Sequence, residues 1–326
     1  MRAVQVTRLD GPSAISVEEG LPEPTAEGPF GPQVLIEVHA VGISFPDLLL
    51  SKGEYQLKPE LPFTLGVDFA GVVRSAPDGS GLAEGDRVAA VLGHGGASAV
   101  VGMGAGSVFP LPDRLSFEQG AALPMNYLTA HFALVERGDL KEGETVLVHG
   151  AAGGVGTATI QVAKGYGART IAVVSTDEKG EMAKRAGADE VVLVDGFRDA
   201  VKELTNGDGV DLVMDVVGGD LVTDSLRSLG TQGRLLVVGF TAGAIPAVKV
   251  NRLLLNNVDV RGVGWGAYAM VRPGYMRQQW DELLPLMESG VIDPPIGKTY
   301  PIEEFGQALQ DMDDRKTLGK SVVTLR

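Results

Sequence analysis

The sequence predicts an α/β protein of two domains, one built mainly from short strands and one from a parallel sheet covered by helices. Three observations support this fold class. The length of 326 residues suggests two domains, at roughly 150 residues per domain. The first third of the chain consists of short apolar runs separated by Gly and Pro. After about residue 140, apolar strand patterns alternate with helical ones.

Short strands dominate residues 1–115. Residues 34–41, 71–73 and 86–91 have strand patterns, and this spacing is typical of a β-barrel-like domain. Ser116 and Gln119 then have the spacing of a helix capping box. A helix is predicted from there to about residue 137, with an interruption at Pro124 because proline cannot donate a backbone hydrogen bond.

The strands of the second domain are short and strongly apolar, which is typical of a parallel sheet buried on both faces. They are predicted at residues 146–148, 170–174, 190–194, 210–216 and 234–238, with helical segments between them. From about residue 267 the tail has two amphipathic helical patterns and a final strand at 321–325. A tail of this kind is able to return to the first domain and complete it.

Charge and composition exclude several classes of function. The net charge of −14, spread along the chain, argues against nucleic-acid and anionic-membrane partners. The absence of cysteine excludes disulfides, thiolate nucleophiles and cysteine-bound metals. We find neither a signal-peptide pattern nor the run of about 20 apolar residues that a membrane span needs. We therefore expect a cytoplasmic protein.

A glycine-rich loop joins the strand at 146–148 to the next helix. Gly150, Gly153 and Gly156 are three residues apart, and Gly154 adds a fourth glycine. A diphosphate is stabilised at a helix N-terminus, and glycines allow the backbone to approach it. Such a triplet alone could be a structural turn, but here a strand precedes it, a helix follows, and a second strand ends about twenty residues later. The loop predicts dinucleotide binding, through the residues Gly150, Ala152, Gly153, Gly154, Val155 and Gly156.

The residues at the end of the second strand of this domain, at 170–174, distinguish NADPH from NADH. NAD-binding proteins have an acidic residue there, which accepts hydrogen bonds from the ribose hydroxyls. This chain has Ser175, and Lys179 follows about one helical turn later. A hydroxyl and an ammonium suit the 2′-phosphate of NADPH, whereas Asp177 and Glu178 leave NADH as the alternative.

Several further motifs occur in one order along almost the whole chain: VGISFPD at 41–47 with GEY at 53–55, LGVDFAGVV at 65–73, AALP at 121–124 with TA at 129–130, and GK at 319–320. Together with the glycine loop they resemble the medium-chain dehydrogenase/reductase superfamily, in particular its zinc-free quinone oxidoreductase branch, which includes zeta-crystallin. The resemblance implies a GroES-like, partly open β-barrel domain at 1–120 completed by 267–326. It also implies a Rossmann-type, doubly wound NADP-binding domain at 121–266, a cleft at their junction and a homodimer.

Metal-dependent relatives need Cys, His and often Glu as zinc ligands. Here Ser44 occupies the cysteine position, Val67 the histidine position and Asp68 the acidic position, while the four histidines are scattered. We therefore expect no metal. Two residues depart from the quinone oxidoreductase pattern: Ser44 replaces the usual Asn beside the nicotinamide ribose, and Val194 replaces a Tyr near the adenine.

The resemblance also implies roles for individual residues, each with an alternative. Thr129 would bind near the nicotinamide, or alternatively pack within its helix. Trp265 would lie near the nicotinamide with Gly264, or alternatively anchor a dimer interface. Arg315 would reach the cofactor, or alternatively be a solvated charge at a helix end. Val216, Gly239 and Phe240 lie at strand ends, where ligands bind in open α/β folds. Ser44, Tyr55 and Tyr127 are the catalytic candidates, although both tyrosines are alternatively buried aromatics.

With no metal and no acid–base dyad, the cofactor is expected to carry the chemistry. The predicted function is hydride transfer from NADPH to a quinone or an α,β-unsaturated carbonyl compound (enone), with water as a source of the proton. Two alternatives remain: reduction of enoyl thioesters, and NADPH binding without significant turnover. The strand pattern around residues 258–263 closes the series, and its edge is predicted to pair with a second copy.

Overall fold

The computed structural model describes residues 1–29 and 31–325. They form two compact units. Unit 1 comprises residues 1–125, 276–280 and 296–325, and unit 2 comprises residues 126–275 and 281–295.

The strands are short in unit 1 and form one regular series in unit 2. In chain order they are β1 (Ala3–Val6), β2 (Ile15–Glu18), β3 (Glu27–Gly28), β4 (Gly31–Pro32), β5 (Val34–Gly42), β6 (Phe63–Thr64), β7 (Asp68–Ser75), β8 (Arg87–Val91), β9 (Val100–Met103), β10 (Val108–Pro110), β11 (Thr145–His149), β12 (Arg169–Val174), β13 (Glu190–Leu193), β14 (Val210–Asp215), β15 (Leu229–Val237), β16 (Asp259–Gly262), β17 (Ile296–Pro301) and β18 (Lys320–Thr324).

The helices concentrate in the second half of the chain. In chain order they are α1 (Phe45–Ser51), α2 (Phe117–Ala122), α3 (Pro124–His131), α4 (Gly154–Gly165), α5 (Asp177–Arg185), α6 (Phe197–Leu204), α7 (Leu221–Ser228), α8 (Asn251–Asn256), α9 (Trp265–Ala269), α10 (Tyr275–Glu288) and α11 (Phe305–Asp313). A π-helical segment, Phe132–Arg137, continues α3. Among the residues that the structure describes, no helix is long and apolar enough to span a bilayer.

The main sheet of unit 1 runs β10-β8-β7-β5-β18-β17, and β9 also pairs with β5. Its centre is antiparallel, because β5 pairs in that sense with both β7 and β18. The last strand of the chain therefore lies inside the sheet that the first hundred residues form. We did not predict β17, whose Gly297, Lys298 and Thr299 are exposed and break the apolar pattern.

The sheet of unit 2 is parallel throughout and has the order β13-β12-β11-β14-β15-β16. In the numbering of this sheet alone, that order is 3-2-1-4-5-6, the arrangement of dinucleotide-binding folds. Its core includes Leu147, Ile171 and Val213, with apolar residues from α6 and α7 packed against them. The predicted α/β class with a parallel second sheet is confirmed.

Two local predictions are also confirmed. Ser116 and Gln119 form the reciprocal capping box at the start of α2, with Gln119 N–H donating to Ser116 Oγ at 3.2 Å and Ser116 N–H donating to Gln119 Oε1 at 3.0 Å. The helical stretch is interrupted at Pro124, where α2 has ended and α3 begins.

Candidate active site

The glycine loop forms a narrow cradle at the start of α4. Gly150 has a positive φ of 62°, and a Cβ on it would lie 2.8 Å from Val216 Cγ2. A Cβ on Gly156 would lie 2.2 Å from the carbonyl oxygen of Gly150. A Cβ on Gly153, the residue before α4, would have only the carbonyl oxygen of Gly150 within 4 Å, at 3.4 Å, which is an ordinary contact distance. Two glycines thus allow the loop to fold tightly, and the third leaves the helix N-terminus open to a diphosphate.

The two residues that predict NADPH lie next to each other in unit 2. Lys179 Nζ donates to Ser175 Oγ at 3.2 Å; Ser175 is exposed and Lys179 is half-buried. The local fold produces this pairing, because Thr176 caps α5 and accepts a hydrogen bond from the Lys179 N–H. Asp177 and Glu178 lie in the first turn of α5, where carboxylates are stabilised by the helix dipole.

Three loops meet at the carboxyl edge of the parallel sheet. Val216 O accepts from Thr241 N–H at 3.1 Å, and a Cβ on Gly239 would lie 3.6 Å from the same oxygen. Val216 also lies against Gly150 of the glycine loop. Four predicted cofactor residues are thus brought together: Gly150, Val216, Gly239 and Phe240. Gly264 and Trp265 follow β16 at the same edge, and the Trp265 side chain is buried.

Helix α3 carries Thr129, which is buried, and Tyr127. The Tyr127 hydroxyl donates to Gln161 Oε1 at 2.7 Å, and that oxygen also accepts from Asp293 N–H at 2.9 Å. Tyr127 is only 1 % exposed, and burial raises its pKa further above 10.0. Its hydroxyl is engaged inside unit 2. The geometry therefore favours the buried-aromatic interpretation, and we remove Tyr127 from the catalytic candidates.

In unit 1, Ser44 belongs to a buried polar cluster with Asp68 and Lys320. Ser44 Oγ lies 2.7 Å from Asp68 Oδ2 and 2.7 Å from Lys320 Nζ, which itself lies 2.9 Å from Asp68 Oδ2. A hydroxyl that close to a carboxylate donates its hydrogen to it, and an ammonium can only donate. The Ser44 side chain also faces the Asp47 N–H in the capping box at the start of α1. Because its only hydrogen is already used, Ser44 can act toward a ligand only as an acceptor.

Asp47 and Tyr55 lie close to this cluster. Asp47 is fully buried and accepts from the N–H groups of Gly66 at 2.9 Å and Ser44 at 3.2 Å. Burial raises the pKa of Asp47 to about 7, and the charge of Asp68 adds to this shift. Tyr55 is half-buried. Its pKa is raised above 10.0, mainly by burial and then by Asp47, so the hydroxyl keeps its proton at neutral pH.

Arg315 lies in unit 1, just after α11, and is exposed. It adopts a left-handed backbone conformation with a φ of 59°, which is uncommon for a residue with a side chain.

The residues at the expected metal-ligand positions do not fit a zinc ion. Val67 is apolar and buried, and the oxygens of Ser44 and Asp68 are bound to the ammonium of Lys320. A fixed positive charge at 2.7 to 2.9 Å from both oxygens opposes a cation at the same place. Within residues 1–29 and 31–325, no group of three or more His, Cys, Asp or Glu side chains is arranged to hold a metal.

Sequence reasoning missed two charged residues that organise these sites. The sequence motifs include Lys320 only as part of a Gly-Lys pair, although a lysine that opens a buried strand needs a partner. Asp215 ends the apolar strand β14 at the carboxyl edge of the sheet, a position that could have marked it.

A polar cleft of about 490 Å³ lies at the opposite, amino edge of this sheet, between the starts of β11, β15 and β16. Its charges neutralise one another: Arg234 pairs with Glu144 at 2.8 Å, and Arg261 pairs with Asp259 at 2.7 Å. The predicted cofactor residues lie at the other edge, so we do not assign the site to this cleft.

Comparison with known proteins divides the chain into a first, GroES-like region and a second, dehydrogenase region. Residues 31–113 match the family model of the alcohol dehydrogenase GroES-like domain, and residues 154–289 match that of zinc-binding dehydrogenases. Quinone oxidoreductase-like protein 2 of Bos taurus is 37% identical over 329 residues, which cover 100% of this chain and 93% of the relative. The quinone oxidoreductase of Rattus norvegicus is 32% identical, with 100% of this chain and 98% of the relative covered.

Solved structures are similarly close. A probable oxidoreductase from Mycobacterium abscessus has a TM-score of 0.89 at 43% identity, covering 99% of this chain and 98% of that one. Escherichia coli quinone oxidoreductase complexed with NADPH has a TM-score of 0.87 at 30% identity, covering 99% and 100%.

A GroES-like region and a dinucleotide-binding parallel sheet in one chain define a medium-chain dehydrogenase/reductase. Given its full-length relatives, the chain belongs to the quinone oxidoreductase family of that superfamily. It is an oxidoreductase, and the predicted family and GroES-like domain are confirmed.

Proposed function

We propose that this protein uses NADPH to reduce a quinone or an enone, without a metal ion. The observation that carries the proposal is the cradle of Gly150, Gly153 and Gly156 at the N-terminus of α4, which leaves backbone N–H groups open to a diphosphate. The neighbouring structures from Escherichia coli and Thermus thermophilus, both complexed with NADPH, support the same cofactor here.

Ser175 and Lys179 would bind the 2′-phosphate that distinguishes NADPH from NADH. Lys179 Nζ and Ser175 Oγ are only 3.2 Å apart in a solvent-exposed hydrogen bond, so one phosphate group can contact both. Ammonium–phosphate hydrogen bonds are charge-assisted and roughly twice as strong as neutral ones. The residue that follows β12 is Ser175, whereas Asp177 and Glu178 lie further on, in the first turn of α5, and not at the strand-end position of the carboxylate in NAD-binding proteins.

Bound NADPH supplies the hydride, which ends on the β-carbon of an enone or on a quinone. This chain's own residues then hold the substrate in place. We assign Tyr55 as the hydroxyl donor for a substrate carbonyl, and its raised pKa keeps the proton on that hydroxyl at neutral pH. Ser44 has no hydrogen left to donate and is assigned instead to accept from a ligand hydroxyl. Water supplies the proton that completes the reduction.

Metal independence is part of the proposal. Lys320 places a positive charge beside Ser44 and Asp68, where zinc-dependent relatives would need ligands. The buried ammonium is held in the cluster by its ion pair with Asp68 and its hydrogen bond to Ser44.

We also propose that the protein forms a homodimer through the edge strand β16. Val263 N–H donates to Val237 O, so the alternate residues Val260 and Gly262 direct their backbone groups away from β15. Arg137 covers Gly262 O, and Val260 is 39 % exposed at the edge. Two copies pairing antiparallel about Val260 would satisfy this edge. A monomer in light scattering at micromolar concentration would contradict the dimer.

The experiment that tests the proposed function is NADPH consumption over a panel of quinones, enones and enoyl thioesters. We expect turnover with the first two classes and a preference for NADPH over NADH. Turnover restricted to enoyl thioesters, or tight NADPH binding with no turnover over the whole panel, would overturn it.

A further inference from the structure

Asp215 is a buried carboxylate at the carboxyl end of β14, and the proposed reaction gives it no part. It is 1 % exposed. Its Oδ1 accepts two backbone hydrogen bonds from the residues that follow, from Val217 N–H at 2.8 Å and from Gly218 N–H at 2.9 Å. The two bonds turn the chain sharply at the end of the strand, where Gly218 and Gly219 adopt positive φ values of 71° and 61°. One carboxylate oxygen therefore sets the shape of residues 216–219.

The loop shaped in this way supports two other loops of the proposed cofactor site. Val216 O and Val217 O accept from Thr241 N–H at 3.1 Å and Ala242 N–H at 3.0 Å, which fixes the segment that carries Gly239 and Phe240. On its other side Val216 lies so close to Gly150 that a Cβ there would come within 2.8 Å of Cγ2. A shift of Val216 would therefore disturb both the glycine loop and the Gly239–Phe240 segment.

The second oxygen of Asp215 has a different environment. Among the residues that the structure describes, Asp215 Oδ2 and His149 Nδ1 are buried without a hydrogen-bond partner. Val148 pairs with Met214, so the next residues, His149 and Asp215, are neighbours on β11 and β14 and point to the same face of the sheet. Burial lowers the pKa of His149 to about 4 against the opposing charge of Asp215, so its ring is neutral at pH 7.

The tautomer of His149 follows from Ser225. Ser225 Oγ donates to Leu221 O at 2.8 Å, so it accepts from His149 Nε2, which lies 2.8 Å away. His149 Nδ1 is then an acceptor, like Asp215 Oδ2. Two buried acceptors that cannot bond each other lower the stability of the fold. Asp215 Oδ2 thus makes no hydrogen bond, and the single oxygen Oδ1 holds the shape of the loop.

We propose that Asp215 is a positioning residue of the cofactor site, which it shapes through the acceptor Oδ1 and not through its charge. The proposal rests on NADPH binding by unit 2. It predicts that asparagine can replace Asp215, because an amide oxygen accepts the same two hydrogen bonds.

The test compares Asp215→Ala and Asp215→Asn with a matched control, Asp211→Ala. Asp211 lies on the same strand and accepts a backbone hydrogen bond from Thr145 N–H at 2.8 Å, but at the amino edge of the sheet. We expect Asp215→Ala to weaken NADPH binding in fluorescence titration by about tenfold, since it loses two hydrogen bonds of ordinary strength. Asp215→Asn should bind NADPH nearly as well as the parent, because its amide oxygen accepts the same two backbone hydrogen bonds. Asp211→Ala should lose stability but keep its NADPH affinity.

A second readout does not depend on the cofactor. Amide hydrogen exchange at Val217 and Gly218 should become faster in Asp215→Ala and stay slow in Asp215→Asn and Asp211→Ala. Unchanged exchange and unchanged NADPH affinity in Asp215→Ala would overturn the positioning role. If Asp215→Ala does not fold, Asp215→Asn decides: weak NADPH binding or fast exchange in that variant would show that the charge is required. A parent protein that fails to bind NADPH would reject the proposed function, and the exchange rates would still test Asp215.

Discussion

The ion pair of Lys320 with Asp68 gives the largest predicted effect of a single substitution in unit 1. Both side chains are almost completely buried, with exposed fractions of 5% and 0%, and the Nζ–Oδ2 distance is 2.9 Å. Lys320→Met keeps an unbranched chain of similar volume but leaves the carboxylate unpaired. Breaking a buried pair by removing one partner typically destabilises a protein by about 3–5 kcal/mol.

The structure places the expected loss at the lower end of this range. Asp68 would keep two hydrogen bonds, from Met125 N–H at 2.8 Å and Ser44 Oγ at 2.7 Å, which partly stabilise its charge. We therefore expect Lys320→Met to lower the free energy of unfolding by about 3 kcal/mol. In Lys320→Met with Asp68→Asn the unpaired charge is gone, so the double variant should recover part of this loss.

The assay is urea denaturation, followed by a probe in unit 1 because a chain with two compact units need not unfold in a single transition. Trp280, which stacks on Phe109 with ring centroids 4.7 Å apart, supplies a fluorescence signal there. Lys52→Met is the matched control. Lys52 pairs with Asp313 at 2.7 Å, but the side chains are 28% and 36% exposed, and such pairs contribute at most about 1 kcal/mol. Equal, small losses for Lys320→Met and Lys52→Met would refute the reasoning.

Three further predictions concern single residues. Lys179→Glu should weaken NADPH binding far more than NADH binding, because it puts a carboxylate where the 2′-phosphate is proposed to bind. Equal losses of affinity for both cofactors in titration would contradict this assignment. Tyr55→Phe should reduce single-turnover hydride transfer by about ten- to a hundredfold, or ~1.4–2.7 kcal/mol, while NADPH affinity is kept. Tyr127→Phe is the matched control and should lose about 1 kcal/mol of stability but no activity. A loss of about 10⁴-fold in the hydride-transfer rate of Tyr55→Phe would instead identify Tyr55 as the essential acid. Asp47 has a pKa raised to about 7, so the folded state binds its proton more tightly and stability falls as the pH rises from about 4 to about 7. Asp47→Asn should remove this dependence, which amounts to at most about 1.4 kcal/mol per pH unit, and parallel pH–stability curves for the two proteins would show that the assignment is wrong.

Elements whose signal is local could be predicted from the sequence. The capping box of Ser116 and Gln119, the interruption at Pro124 and the glycine loop each depend on residues a few positions apart. The parallel sheet followed from the alternation of apolar strands with helices, because few other arrangements bury such strands on both faces.

Features that depend on distant pairs could not be predicted in the same way. Lys320 and Asp68 are 252 positions apart, and nothing in the local pattern of either residue names the other. The two candidate tyrosines illustrate the same limit. Tyr55 and Tyr127 have equivalent chemistry, and only the position of Gln161 reveals that the Tyr127 hydroxyl is bonded within the core. The hydrogen-bond polarity of Ser44 likewise depends on partners that the fold brings together.

Metal-free hydride transfer from NADPH is the central claim, and one measurement tests it most directly. The protein, first treated with a zinc chelator, is mixed in a single turnover with NADPH deuterated at the reactive 4-position and a small enone. We predict loss of NADPH and one deuterium at the β-carbon of the product, at a rate that the chelator does not change. No deuterium in the product with an enone and no NADPH loss with a quinone, or activity that returns only when zinc is added, would contradict the account.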